Sequence, residues 1–191
     1  MEERRFKLVL LGTTGVGKTC LTLRFVKGLF DDEQLPTIGA AYMTKKVACN
    51  SRQYIFELWD TAGQERYEAI TPLYYRSAEA AVIVFDITDP GSLNKAKEWL
   101  KRLKRERDDP EMPIVLAGNK CDAPNHISRD AIDLFIQETG LKYFETSAKT
   151  GDNVDEMFVW IARNLPTPTV TNDAEDVLKF EMKGEAKKGC C

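Results

Sequence analysis

The segment Gly12–Thr19, GTTGVGKT, has the residue types and spacing of a loop that binds phosphate groups. Gly12 and Gly17 let the backbone turn so that successive amides point at phosphate oxygens. Lys18 brings a positive charge to the outer phosphates, and Thr19 offers a hydroxyl to Mg²⁺. A glycine turn that only joins a strand to a helix does not need this Lys-Thr pair. The segment therefore predicts a nucleotide-binding loop.

A second set of polar residues lies in WDTAGQE, directly after another predicted strand. Asp60 at the strand end would hold Mg²⁺ through water, and the Gly63 amide would meet a terminal phosphate. Gln64 is placed to orient a water molecule that attacks this phosphate. These residues indicate hydrolysis of the bound nucleotide.

Two further segments have residue types that can read a base: GNKCD, Gly118–Asp122, and TSAK, Thr146–Lys149. The Asp122 carboxylate would accept two hydrogen bonds from the edge of guanine, and the Ala148 amide would meet the guanine carbonyl oxygen. Adenine lacks that pair of donors, so an unpaired, desolvated Asp122 would reject it strongly. The pattern therefore favours guanine over adenine.

The elements that must position these residues alternate along the chain. Short apolar runs predict buried strands in FKLVLLG, AAVIVFDIT, MPIVLAGNK and KYFETSA. Longer amphipathic stretches predict helices in TCLTLRFVKG, SLNKAKEWLKRLKRERD, SRDAIDLFIQETG and DNVDEMFVWIARNL. Two more polar, alternating segments, AYMTKKVACN and RQYIFELWD, predict a hairpin at a sheet edge.

The predicted fold class is therefore α/β. We expect a six-stranded, mostly parallel sheet with one antiparallel edge strand and helices on both faces. Ligands of such sheets bind at the carboxyl ends of the strands, and the polar segments above all fall at such ends.

Composition excludes several classes of protein. The chain has 191 residues and a net charge of −3, so a general nucleic-acid role has no electrostatic support. The basic run KRLKRER is interpreted as the solvated face of a helix. No apolar run is long enough to span a bilayer, and the amino end lacks a signal-peptide pattern. We therefore expect a cytosolic protein, and His126 is interpreted as a surface residue.

Taken together, the motifs resemble those of small GTPases, and among these the Rab family. The matching segments are WDTAGQERY, YYRSA, DITDPGSL, GNKCD and ETSAK. The resemblance covers residues 5 to about 165 and the double-cysteine ending, and it implies a P-loop NTPase G domain. PTIGAAYMTKKV, NKAKEWL and LAGNKCD are most similar to the endosomal Rabs. Two departures are IGAAY after the switch threonine, where the family has Ile-Gly-Val-Asp-Phe, and YYRSA in place of Tyr-Tyr-Arg-Gly.

The resemblance implies roles for individual residues. Thr37 matches the switch threonine that reaches Mg²⁺ and the γ-phosphate when GTP is bound, so Thr19, Thr37 and Asp60 form the expected metal site. Phe30 matches the aromatic residue that packs on guanine, and Lys120 would lie over the base. Gln64 is the expected catalytic residue. The remaining expected nucleotide-binding residues are Gly12, Thr14, Gly15, Val16, Gly17, Lys18, Cys20, Gly63, Asn119, Asp122, Ser147, Ala148 and Lys149.

Three aromatic residues, Tyr42, Trp59 and Tyr74, resemble the triad with which Rabs present their active surface to effectors. Simple core packing is the alternative interpretation. The implied function is a GTP/GDP-switched regulator of vesicle trafficking, and the implied partners are an exchange factor, a GTPase-activating protein and effectors. A monomer is expected.

The expected rate of hydrolysis by the protein alone is low. The segment FDDEQLPT between Phe30 and Thr37 contains no arginine and has no room for an inserted domain. A catalytic arginine is worth about 10³ to 10⁵ in rate, so we expect an activating protein to supply it. The resemblance to small GTPases implies that Thr14 lies close to the γ-phosphate and the incoming arginine, where a bulkier side chain can hinder hydrolysis.

The residues from Pro166 onward, 166–191, are interpreted as a flexible tail after a G domain of residues 1–165. A CaaX box would need cysteine at Lys188, whereas GCC resembles the Rab ending that receives geranylgeranyl groups on Cys190 and Cys191. Two lipid chains give stable anchoring. The implied location is the cytoplasmic face of endomembranes, and the similarity to endosomal Rabs favours endosomes. The protein would cycle through the cytosol with a Rab escort protein and a GDP-dissociation inhibitor as partners.

Two rival interpretations come from other classes. One is an ATP-using phosphate-loop enzyme such as a small kinase, against which Asp122 and Ala148 argue. The other is a GTP-bound interaction module with little or no hydrolysis, which Thr14 supports and Gln64 opposes.

Overall fold

A computed structural model describes residues 3–49, 52–107 and 109–166. The strands are β1 Glu3–Leu11, β2 Ala40–Cys49, β3 Arg52–Thr61, β4 Ala80–Asp86, β5 Ile114–Asn119 and β6 Lys142–Thr146. The helices are α1 Lys18–Lys27, α2 Pro72–Tyr75, α3 Pro90–Glu106, α4 Arg129–Thr139 and α5 Val154–Arg163, and Glu65–Tyr67 forms one 3₁₀ turn. The predicted tail beyond Pro166, with Cys190 and Cys191, lies outside the described residues.

The six strands form one sheet in the order β2-β3-β1-β4-β5-β6. β1 pairs in parallel with β3 and β4, and the parallel pairing continues through β5 to β6. β2 is antiparallel to β3, with Cys49 opposite Arg52 next to the connection. The predicted fold class, with its single antiparallel edge strand, is confirmed.

Helices cover both faces of the sheet because the inner strands are apolar on both sides. Every residue of β4 is buried. Side chains alternate across a strand, so Val82 and Val84 pack toward α1 and α5, whereas Ile83 and Phe85 pack toward α3 and α4. This double burial is what a near-continuous apolar run predicts for a parallel strand.

The amphipathic helices lie as their patterns predict. The apolar positions of α5 that follow helical spacing, Val154, Met157, Phe158 and Ile161, are buried in the core. On α3, Trp99 and Leu103 are buried, whereas Lys101, Lys104 and Arg105 are exposed. The interpretation of the basic run as a solvated helix face holds for these three residues, whereas Arg102 and Arg107 are half-buried and hydrogen-bonded to Glu68 and to the carbonyls of Arg76 and Ala78.

β3 differs from its predicted pattern. Its segment was expected to alternate, yet Tyr54, Ile55 and Phe56 are buried in succession. The reason is its position, because β3 lies inside the sheet between β2 and β1, and only β2 has the alternating exposure of an edge strand. The strand β1 also begins at Glu3, before the predicted apolar run, since its backbone continues to pair with β3 there. No helix among the described residues is long and apolar enough to cross a membrane.

Candidate functional site

The loop between β1 and α1 requires glycine at two positions. At both, the backbone conformation is one that other residues rarely adopt, and there is no space for a side chain. Gly12 and Gly17 have φ values of 150° and 93°. A Cβ atom on Gly12 would lie 2.4 Å from the carbonyl oxygen of Val84, and one on Gly17 would lie 2.3 Å from Nδ2 of Asn119. The loop is therefore packed closely against the ends of β4 and β5.

Lys18 occupies the first position of α1 and points back into this loop. Only 5% of the residue is exposed, and its Nζ donates hydrogen bonds of 2.8 Å to the Gly12 carbonyl and 2.9 Å to the Thr13 carbonyl. Burial lowers the pKa of Lys18 to about 8, and the negative charge of Asp60 opposes part of this shift. The loop thus holds a buried cationic group at the start of a helix, where anions are favoured.

Three oxygen-bearing side chains from three segments meet beside Lys18. Thr19 Oγ1 lies 2.6 Å from Asp60 Oδ2 and 2.8 Å from Thr37 Oγ1, and Thr37 Oγ1 lies 3.2 Å from the same carboxylate oxygen. Asp60 is fully buried, and burial raises its pKa, although hydrogen bonds from both threonines and the charge of Lys18 oppose the rise. Its Oδ1 has no hydrogen-bond partner among the described residues. An unpaired, buried carboxylate oxygen beside two hydroxyls fits a hard divalent cation such as Mg²⁺.

Gly63 brings the chain after β3 against the same loop. A Cβ atom on Gly63 would lie 2.3 Å from Thr13 C and Thr14 N, so only glycine allows this approach. Thr14 is exposed at the rim. Gln64 is half-buried and immediately precedes the 3₁₀ turn, outside the set of residues that line the cavity.

Asn119 connects the segments at the other end of the site. It is 1% exposed and donates from Nδ2 to the Val16 carbonyl at 2.8 Å. Its Oδ1 accepts hydrogen bonds from the Ala148 amide at 3.2 Å and from Thr146 Oγ1 at 3.3 Å. One side chain therefore joins the phosphate-type loop to the segment after β6.

Asp122 and Lys120 lie in the turn after β5 with partners of their own. Asp122 Oδ1 accepts a hydrogen bond of 2.6 Å from Ser147 Oγ, which fixes the carboxylate. Lys120 has a φ of 70°, which is uncommon for a residue other than glycine. Its Nζ lies 2.5 Å from Asp86 Oδ2 at the end of β4.

One cavity of about 430 Å³ runs along all these segments, a size typical of small-molecule sites. Its lining includes most of the residues expected from the sequence, namely Thr14, Gly15, Gly17, Lys18, Thr19, Cys20, Phe30, Thr37, Gly63, Asn119, Lys120, Asp122, Ala148 and Lys149. The others, Gly12, Val16, Asp60, Gln64 and Ser147, do not line it. Of these, Gly12, Val16, Asp60 and Ser147 are buried and contact lining residues or the loop.

A protein-family model described as the Ras family matches residues 7–167. The chain belongs to the Ras family. Its relatives narrow the group further. The chain is 49% identical over 168 residues to the Ras-related protein Rab-5A of Dictyostelium discoideum, covering 86% of this chain and 83% of the relative.

Two plant relatives extend the similarity over nearly the whole chain. The Ras-related proteins Rab5 of Nicotiana tabacum and RABF2b of Arabidopsis thaliana are 45% and 44% identical over 189 residues, covering 97% of this chain and 94% of each relative. The chain is thus a Rab small GTPase of the endosomal group. It hydrolyses GTP and acts in endosomal vesicle trafficking, and the interpretation as a module without hydrolysis is not favoured.

Three aromatic residues of this Rab GTPase, Tyr42, Trp59 and Tyr74, form one cluster. Tyr42 and Trp59 have ring centroids 5.3 Å apart, and Trp59 and Tyr74 are separated by 5.5 Å. Trp59 and Tyr74 are half-buried against the core, whereas Tyr42 is 51% exposed. Core packing alone does not account for Tyr42.

Sequence analysis missed two charged residues that support the site. Asp86 is buried, and hydrogen bonds from Lys120 and Thr88 hold its pKa below the ordinary value even though burial acts in the opposite direction. The available signal was an acidic residue ending a buried strand. Arg24, on α1, donates to the carbonyls of Ala148 and Lys149. No sequence pattern indicated that contact, because it joins residues 124 and 125 positions apart.

Proposed function

We propose that this Rab GTPase binds Mg²⁺ and GTP or GDP in the cavity of about 430 Å³. The phosphates would lie on the loop from Gly12 to Thr19, and guanine would lie between Phe30 and the segments after β5 and β6. The observation that carries the proposal is the continuity of the cavity. It joins the buried Lys18, beside the Thr19–Thr37–Asp60 group, to the fixed carboxylate of Asp122.

The proposed metal site consists of Thr19, Thr37 and Asp60. When bound, Mg²⁺ supplies charge neutralisation for the β- and γ-phosphates. Asp60 provides a desolvated negative charge whose Oδ1 has no partner among the described residues, and the hydroxyls of Thr19 and Thr37 donate to its other oxygen, Oδ2. Thr37 comes from the long connection between α1 and β2. Its position therefore couples that connection to the metal site, as expected of a segment ordered by the γ-phosphate.

The proposed base site uses hydrogen bonds that exclude adenine. Asp122 would accept from the two donors on the edge of guanine, and Ser147 holds it in place. The Ala148 amide would donate to the guanine carbonyl oxygen. Lys120 would lie over the ring, supported by its ion pair with Asp86.

Hydrolysis is proposed to proceed by in-line attack of water on the γ-phosphate. Gln64 would orient the water. Gly63, which packs closely against the backbone of Thr13 and Thr14, would present its amide to the γ-phosphate. An arginine supplied by a GTPase-activating protein would complete the site. The exposed side chain of Thr14 at the rim lies where that arginine would enter.

The proposed effector surface contains Tyr42, Trp59 and Tyr74. The apolar side chains of Ile38 and Leu73 are 78% and 65% exposed and lie close to the triad in sequence, so they would enlarge the apolar surface. Ile38 lies on the same connection as Thr37, and Leu73 lies in the same segment between β3 and β4 as Gln64. A change at the phosphate end would therefore alter the surface offered to effectors.

We expect nucleotide release to depend on Mg²⁺ through Asp60. Chelation of Mg²⁺ should accelerate release of a fluorescent GDP analogue from the unaltered protein by more than about tenfold, because charge-assisted contacts of about 1.5–3 kcal/mol are lost. Asp60→Asn should release the nucleotide at a similarly fast rate with or without Mg²⁺. Asp155→Asn is the control, because Asp155 is an exposed carboxylate that pairs with Lys45 at 3.6 Å. This variant should retain the dependence of nucleotide release on Mg²⁺. Full Mg²⁺ dependence in Asp60→Asn would contradict the proposed metal site.

Membrane attachment is proposed to depend on geranylgeranyl groups on Cys190 and Cys191, with an escort protein and a GDP-dissociation inhibitor as partners. This would place the protein on the cytoplasmic face of endosomes. We expect a variant with both cysteines replaced by serine to be cytosolic in cell fractionation. Either single variant should bind membranes only marginally, because one chain gives weak, reversible binding. A double variant that stays with the membrane fraction would refute the lipid anchor.

A further inference from the structure

Arg24 makes an unusual set of contacts from the middle of α1. Its Nε donates to the Ala148 carbonyl at 2.7 Å, and its Nη2 donates to the Lys149 carbonyl at 2.5 Å. Its Nη1 donates to the Gly28 carbonyl at 2.9 Å. Each nitrogen of the guanidinium group is thus bonded to a backbone oxygen, and the side chain is half-buried.

Two of the three carbonyls belong to residues that line the base end of the cavity, and the third belongs to Gly28, two residues before the lining residue Phe30. Ala148 and Lys149 lie in the segment after β6 and line the cavity directly. Gly28 ends α1, with its amide bonded to the Arg24 carbonyl, and the chain reaches the cavity wall again at Phe30. Arg24 therefore ties the segment after β6 to the end of α1, the helix that also carries Lys18 and Thr19.

We propose that Arg24 is a positioning residue for guanine recognition, acting through the Ala148 amide on the carbonyl oxygen at C6 of the base. The inference rests on the proposed base site and deepens it. A hydrogen bond weakens steeply with angle and distance, so a small shift of this segment would reduce the contact with the base. The amide nitrogen and the carbonyl carbon of Ala148 are both bonded to its Cα atom, so the hydrogen bond from Nε to the carbonyl oxygen also restricts the orientation of the amide.

Arginine suits this task better than other polar residues. Its planar guanidinium presents several donors in a rigid arrangement, whereas the lysine ammonium is a single flexible point charge. A lysine at this position could reach one carbonyl and keep the positive charge, but it could not bridge all three. Arg24→Lys therefore tests the bridge while preserving charge, and Arg24→Gln removes the charge as well.

The decisive measurement compares GDP with 6-thio-GDP, in which sulfur, a weaker acceptor, replaces the oxygen at C6. The groups that face Asp122 are the same in both nucleotides. We expect the unaltered protein to bind GDP more tightly, and we expect both Arg24 variants to reduce this preference by about three- to tenfold, the effect of weakening one hydrogen bond. Affinities would be measured by competition against a fluorescent GDP analogue.

Arg107→Gln is a matched control. Arg107 also donates to backbone carbonyls, those of Arg76 and Ala78, but it lies beyond the carboxyl end of α3 and does not line the nucleotide cavity. Thermal unfolding of the GDP-bound proteins would show how much each arginine contributes to folding. The control should leave the preference for GDP over 6-thio-GDP unchanged, whatever its effect on stability.

Two results would overturn the inference in distinguishable ways. If the Arg24 variants weaken GDP and 6-thio-GDP binding by the same factor, or leave both unchanged, Arg24 does not act on the C6 contact. If the unaltered protein binds both nucleotides equally, the proposed Ala148 contact itself is wrong. The first result leaves the proposed base site intact, whereas the second removes that part of it.

Discussion

An Asp122→Asn variant is expected to lose affinity for GDP by about 10²- to 10⁴-fold and to bind XDP more tightly than GDP. The variant would lose or weaken the two charge-assisted hydrogen bonds that the Asp122 carboxylate would accept from guanine, each worth about 1.5–3 kcal/mol. The asparagine amide group would face the amino group of guanine, donor against donor, whereas xanthine has a carbonyl at that position. The asparagine oxygen can still accept the bond that Ser147 donates at 2.6 Å, so the turn itself should be retained.

Competition titrations of GDP, XDP and ADP against a fluorescent GDP analogue would measure this change. Asp133→Asn is a suitable control because Asp133 is an exposed carboxylate on α4 that pairs with Arg129 at 3.1 Å. It should leave all three affinities unchanged. If Asp122→Asn kept its preference for GDP, the carboxylate would not be the group that reads guanine.

A Gln64→Leu variant is expected to lose nearly all of the stimulation that a Rab-type activating protein gives. That stimulation is about 10³- to 10⁵-fold when an arginine is supplied in trans. Leucine has a similar size but cannot hydrogen-bond to water, so the nucleophile would not be oriented. Gln64 does not line the cavity, and it lies immediately after Gly63, which does. If Gln64 orients the water as proposed, its side chain would have to turn toward the cavity, and the activating protein would stabilise that arrangement.

Single-turnover release of phosphate, with and without the activating protein, would measure the loss. Gln137→Leu makes the same replacement at an exposed position on α4 and should be stimulated normally. Binding of GTP by Gln64→Leu should stay within about threefold of the unaltered protein, since Gln64 is not expected to contact the ground-state nucleotide. Normal stimulation of the variant would assign water orientation to another residue.

Local sequence was sufficient to predict the main elements of the fold and most of the residues that line the cavity. Continuous apolar runs such as AAVIVFD identify strands buried on both faces, and β4 is buried at every position. Because the strands are parallel, their carboxyl ends share one edge, so the polar residues after β1, β3, β5 and β6 had to lie close together. The lysine-threonine pair after the glycine-rich loop then indicated a phosphate site at that edge.

The parts that sequence could not predict depend on contacts between distant residues. The burial of Tyr54, Ile55 and Phe56 follows from the position of β3 inside the sheet, which its own composition does not reveal. The Asp86–Lys120 ion pair and the Arg24 contacts are of the same kind. Each joins groups that only the folded sheet brings together, and neither has a characteristic spacing along the chain.

The position of Asn119 has a consequence for how the two halves of a nucleotide contribute to affinity. Its amide bonds the phosphate loop at the Val16 carbonyl, and its Oδ1 bonds the base segment at the Ala148 amide. Ordering of either segment therefore favours ordering of the other. An intact nucleotide would order both segments in a single binding event, so the free-energy cost of ordering them arises once. Guanosine and pyrophosphate as separate molecules would each bear the cost of ordering alone. The sum of their two binding free energies should therefore be less favourable than the binding free energy of GDP. In the proposed complex, the covalent link between base and phosphate would thus be matched by a single side chain, Asn119, that joins the two segments that bind them.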